Sequence, residues 1–99
     1  MTPAAIDGTR TYRAAQGFGW RREDFGGILF HFEGRAPDPR LTFVESRFLI
    51  DLLDLVNQAP LQELLDQAAE RFALDAAQDA AMRDFFHNLV RREALVPQL

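Results

Sequence analysis

Ninety-nine residues suffice for one domain, which buries roughly two-thirds of its unfolded surface, and are too few to add a deep, water-excluding active site. The absence of cysteine excludes disulfide frameworks, thiolate zinc sites, iron–sulfur clusters and cysteine nucleophiles. The net charge of −4 resides in residues 41–99, with ten acids against five Arg, whereas residues 1–40 hold six Arg against five acids. An acidic C-terminal half disfavours any role that depends on contacts to nucleic-acid phosphates.

Met1–Arg10 is polar and carries Pro3 and Gly8 without an apolar period, which predicts a flexible tail ahead of one domain over residues 11–99. Gly17 and Gly19 flank Phe18 in an extended segment, where paired glycines mark a bulge or a close backbone approach. Trp20–Phe25 reads as a short strand. Gly27–Glu33 is the strongest strand signal in the chain, rich in β-branched and aromatic residues and bounded by glycine on both sides. Ile28, Phe30 and Phe32 share one face, read as core, while Leu29, His31 and Glu33 share the other, read as half-exposed. Gly34–Pro39 has loop composition, and Arg40–Val44 alternates again, so the two strands form a hairpin.

The period changes from 2 to 3.6 at Glu45–Ser46, and the Ser46 hydroxyl is placed to cap the first helix. Phe48, Leu49, Leu52, Leu53, Leu55 and Val56 form its apolar stripe. Pro60 suits the start of a second helix running to Phe72, buried through Leu61, Leu64, Leu65, Ala68 and Phe72. Asp75 with Gln78 predicts a capping box for a third helix carrying Met82, Phe85, Phe86, Leu89 and Val90, before Pro97 stops the chain. The expected fold class is therefore α+β and winged-helix-like: an antiparallel sheet of two or three strands followed by three helices.

No constellation in the sequence supports catalysis, a metal or a cofactor. His31-Phe32-Glu33 has the H-x-E spacing of zinc deaminases, whose other ligands are cysteines that this chain lacks. The only other histidine, His87, is remote in sequence, so His31 reads as a surface histidine beside a solvated glutamate. Gly17-Phe18-Gly19 lacks the third glycine and the β-α-β unit of a dinucleotide loop. Ser46, the sole serine, has no nucleophile-elbow context. Asp51, Asp54, Asp66 and Glu70 read as solvated acids on exposed helix faces. All eleven basic residues are Arg, which GC-rich codon usage explains more simply than an anion site. A Phe-rich core accounts for Phe30, Phe32, Phe48 and Phe72. The adjacent Phe85 and Phe86 leave two alternatives: both are buried, or one lines a groove. No apolar run approaches the ~20 residues of a membrane span, and the N-terminus lacks the layout of a signal peptide, so a cytoplasmic protein is expected.

A sheet followed by three short helices serves two functions. A winged-helix DNA-binding regulator inserts its last helix into the major groove, and the charge distribution here argues against that alternative. A peptide binder adds an extended peptide to the sheet edge beside an apolar helix, and both elements are expected here. Glu23-Asp24-Phe25-Gly26-Gly27-Ile28-Leu29-Phe30-His31-Phe32, followed by Arg40-Leu41-Thr42-Phe43-Val44-Glu45-Ser46 and a Leu-rich helix, resembles the mycofactocin biosynthesis chaperone family. That family belongs to the RiPP recognition element group, with relatives in pyrroloquinoline quinone assembly, and the resemblance spans roughly residues 18–97. It implies a chaperone without catalytic activity or cofactor. Such a chaperone binds the leader of a ribosomally made precursor peptide and presents it to a radical S-adenosylmethionine maturase. It further implies that the leader pairs with Arg40–Val44 (Arg40, Leu41, Thr42, Phe43, Val44) and lies against Arg83, Phe86, His87 and Val90 of the third helix. An unpaired edge strand is also able to meet a second copy, so monomer and strand-paired homodimer are both compatible with the sequence.

Overall fold

Alternating and helical periods segregate along the chain, and the computed structural model, which describes residues 6–33 and 37–98, follows that division. Strands β1 (Tyr12–Ala14), β2 (Phe18–Glu23), β3 (Gly26–His31) and β4 (Arg40–Val44) precede helices α1 (Arg47–Asp54), α2 (Leu61–Arg71) and α3 (Ala76–Arg91) and a final strand β5 (Leu95–Pro97). The fold is α+β, as expected. β2, β3 and β4 form an antiparallel sheet in that order, while β1 and β5 pair separately. The expected loop at Gly34–Pro39 lies partly outside the described residues, as does the tail over residues 1–5.

The segment expected to be a loose tail is docked from Ile6 onward. Ile6 packs against the core. The carbonyls of Gly8 and Arg10 accept from the amides of Gln62 and Leu61, satisfying orphan donors at the start of α2. Pro60, which has no side-chain cap to offer, sits just before that helix.

The two side-chain caps read from the sequence are both present. Ser46 accepts from the Leu49 amide at 3.2 Å, and Asp75 and Gln78 form a reciprocal capping box. At its other end α3 stops on Glu93, whose φ of 58° reverses the chain so that the Ala94 amide bonds the Leu89 carbonyl. That reversal returns β5 to β1, in the register Tyr12 to Pro97. Pro97 therefore closes a strand, an element not expected from the sequence.

The face assignment of β3 is the main correction. Leu29 and His31 are buried, whereas Ile28 and Phe30 are half-buried on the opposite face and Phe32 is exposed. All three helices follow the sheet, and α1 packs beneath the Leu29 face: a side chain at Gly27 would meet Ile50 Cδ1 at 2.6 Å. Alternation shows which residues share a face but not which face the later helices cover. His31 is accordingly a core residue, its ring edge-on to Phe18 at 5.5 Å between centroids. Phe72, also expected in the core, is exposed and stacks edge-on against Phe48 at 5.0 Å. Asp51 and Asp54 do more than meet solvent. Both hold Arg22, and Asp54 also accepts from Trp20 Nε1 at 2.8 Å, clamping β2 to α1.

Candidate functional site

Among the described residues β4 has one neighbour, β3, in the register Gly27 to Val44, Leu29 to Thr42 and His31 to Arg40. Its other side is an edge that no described residue covers. Which β4 residues face that edge follows from the far side of β3. The Phe32 amide donates to the Gly17 carbonyl at 2.9 Å, continuing the β2–β3 register in which Phe18 faces His31. Antiparallel pairs alternate between bonded and non-bonded, so Phe30 and Ile28 direct their backbone groups to β2, whereas His31, Leu29 and Gly27 direct theirs to β4. Arg40, Thr42 and Val44 complete those bonds. The amides and carbonyls of Leu41 and Phe43 are left pointing outward, without a partner among the described residues. An extended chain laid along β4 would find its main-chain partners there.

The ends of this edge are bordered differently. Beyond Val44, a cleft of about 440 Å³ opens between Ser46, Phe48 and Leu49 of the β4–α1 junction and Gln78, Ala81 and Met82 of α3. At the other end, Glu33 Oε1 lies 3.5 Å from His31 Nδ1, 3.6 Å from Arg40 and 3.7 Å from Arg92. These separations are longer than good hydrogen bonds. The buried His31 Nδ1 and Arg92 Nε have no hydrogen-bond partner among the described residues. The face of α3 that carries Gln78 and Ala81 thus lines the cleft, and Arg92, just past the last residue of the helix, reaches Glu33 at the other end. Phe85 lies on that face, a turn beyond Ala81. It is half-buried, with its ring edge-on to Phe86 at 5.3 Å.

The α3 residues expected to meet the peptide fall in three different surroundings. Phe86 is fully buried in the core. Arg83 donates to Asp66 of α2 at 2.7 Å and to Asp79 at 3.0 Å, which fixes it on the α2 side. His87 and Val90 follow Arg83 by about one and two turns and so share that side. Burial, reinforced by Arg91, holds the His87 imidazole below its ordinary value. Of the paired phenylalanines, then, Phe86 belongs to the core and Phe85 faces the cleft side. The signal available in the sequence was the spacing of Gln78, Ala81, Phe85 and Arg92, which share one helical face.

The sheet's outer face, away from the helices, is apolar as well. Leu41 and Phe43 are exposed there beside the half-buried Ile28 and Phe30, and Phe25 packs on Phe43 at 6.2 Å between ring centroids. Phe30 lies over Gly19, where a Cβ would sit 2.6 Å from the ring.

Among the described residues, no group of three or more histidine, aspartate or glutamate side chains is placed to hold a metal ion, and no helix is long and apolar enough to cross a membrane. No curated protein and no solved structure matches the chain. A family model described as the peptide chaperone MftB family matches residues 11–96, which covers β1 through α3 and all but the last residue of β5.

Proposed function

Since the chain belongs to the peptide chaperone MftB family, we propose that it binds the leader of a ribosomally made precursor peptide by strand addition to β4 and presents it to a radical S-adenosylmethionine maturase. The chaperone takes no part in the chemistry and needs no cofactor of its own, and it works in the cytoplasm beside the maturase. The observation that carries this reading is the pair of outward-facing backbone groups at Leu41 and Phe43. They form a short edge with main-chain donors and acceptors to offer, ending near the cleft that α3 lines.

In this reading Arg40–Val44 is the receiving strand, with Leu41 and Phe43 making the hydrogen bonds and Arg40, Thr42 and Val44 anchoring the strand to β3. Helix α3 contributes through Ala81 and Phe85 on the cleft side, and Arg92, just past the helix, contributes at the Glu33 end. Phe86 supports that helix from the core, Arg83 ties it to α2, and His87 and Val90 lie on the far flank.

Calorimetry with a synthetic peptide spanning the leader of the precursor encoded beside this gene tests the reading. One peptide should bind per chain, with a dissociation constant of roughly micromolar or tighter. Absence of heat with a chain that is folded by circular dichroism contradicts it. Salt-sensitive binding to duplex DNA in place of the peptide would favour the regulator instead.

A further inference from the structure

We infer that the outer face of the sheet is a second recognition surface for the bound peptide, one that selects two apolar side chains separated by a single residue. This rests on β4 being the peptide edge, and it places a specificity element on the side of the sheet opposite the helices. Leu41 is 54% exposed, Phe43 65% and Phe25 45%. Monomeric proteins rarely leave aromatic and aliphatic side chains this open in one contiguous patch without a partner for it.

The occupant follows from backbone geometry. Leu41 and Phe43 supply both the unpaired edge groups and the exposed side chains. A strand that bonds to them must set its own partner residues on the same face of the sheet, since cross-strand neighbours share a face. Whatever satisfies the edge therefore extends the patch, and its alternate residues lie against Leu41, Phe43 and the Phe25 ring. The intervening residue points to the helix side. The charge nearest the patch on β2, Arg21, is already held by Glu23 at 2.6 Å, so nothing on this face calls for a charged side chain. Two apolar residues in an i, i+2 arrangement fit it, whichever direction the peptide runs.

The test uses the full chain, the same synthetic leader peptide, and the variants Leu41→Ser, Phe43→Ser and Leu41→Pro. Both positions are more than half exposed, so the serine variants should melt like the parent chain. Each serine should weaken binding about tenfold, the equivalent of losing about 1.4 kcal/mol of apolar contact. Serine substitution of the leader's alternating apolar pair should weaken binding to the parent chain but add little to a Leu41→Ser, Phe43→Ser double variant.

Leu41→Pro differs from Leu41→Ser chiefly by the missing edge amide, which an edge strand tolerates in folding. If the serine variants bind like the parent while Leu41→Pro binds more weakly, the outer-face inference is overturned and strand addition stands. If all three bind like the parent, both are overturned. If instead the parent sediments as a dimer and the serine variants as monomers with undiminished peptide binding, the patch is a self-association face and the inference is wrong.

Discussion

A Gly26→Ala chain is expected to lose at least about 3 kcal/mol of stability, a large part of what a small domain has. Gly26 has a φ of 146°, a conformation that residues with a side chain rarely adopt. A Cβ there would lie 2.1 Å from the Val44 carbonyl oxygen and 2.5 Å from the Ser46 amide nitrogen. Both are backbone atoms of the junction between β4 and α1, so relief requires moving the strand or the helix start. Thermal denaturation should show a Tm lowered by more than about 12 °C, at ~4–8 °C per kcal/mol for a domain of this size. The neighbouring Gly27→Ala meets the Ile50 side chain at 2.6 Å and the Arg21 carbonyl at 2.9 Å and should also destabilise. The Phe-Gly-Gly stretch is thus a close-approach device: it lets β3 lie against both the β4–α1 corner and the helix beneath. A Gly26→Ala chain that melts like the parent would refute this account of the motif.

Phe86→Ala should cost about 3–5 kcal/mol, the usual range for truncating a fully buried phenylalanine. Phe86 is completely buried with Met82 and Leu89, one turn before and one after, in the same core. Its loss would leave a cavity beneath α3 and withdraw support from Phe85 beside it. Urea denaturation should show the full loss without any peptide present. Phe85→Ala should behave differently, with a smaller stability cost and a larger effect on peptide binding. If Phe86→Ala left stability intact and abolished binding, the ring would have to be a groove residue after all.

Much of the helical half was legible in the sequence because caps and stripes are local. Ser46, Asp75 and Gln78 act within one turn of themselves, and no tertiary contact can change what their hydroxyl, carboxylate and amide are able to reach. The sheet was legible in period but not in polarity. Ile28, Phe30 and Phe32 are as apolar as Leu29, so only the position of α1 decides which set is covered. His31, a polar residue by type, ended inside. β5 was hidden for a similar reason, since its partner lies at the opposite end of the chain and the turn before it uses Glu93 rather than glycine. The candidate edge was readable as a strand. That Leu41 and Phe43 hold its open bonds emerged only from the pairing on the far side of β3. Which face of α3 lines the cleft beyond that strand emerged only from the Arg83–Asp66 contact and the position of Ala81 in the cleft wall.

Hydrogen exchange at single amides of β4, measured with and without the leader peptide, tests the central claim most directly. In the free chain the amides of Thr42 and Val44 should be protected by β3, while those of Leu41 and Phe43 exchange freely. Saturating peptide should slow Leu41 and Phe43 by at least about tenfold, as new ladder bonds form on the open side. Unchanged exchange at Leu41 and Phe43 in a chain saturated with bound peptide would contradict strand addition at β4.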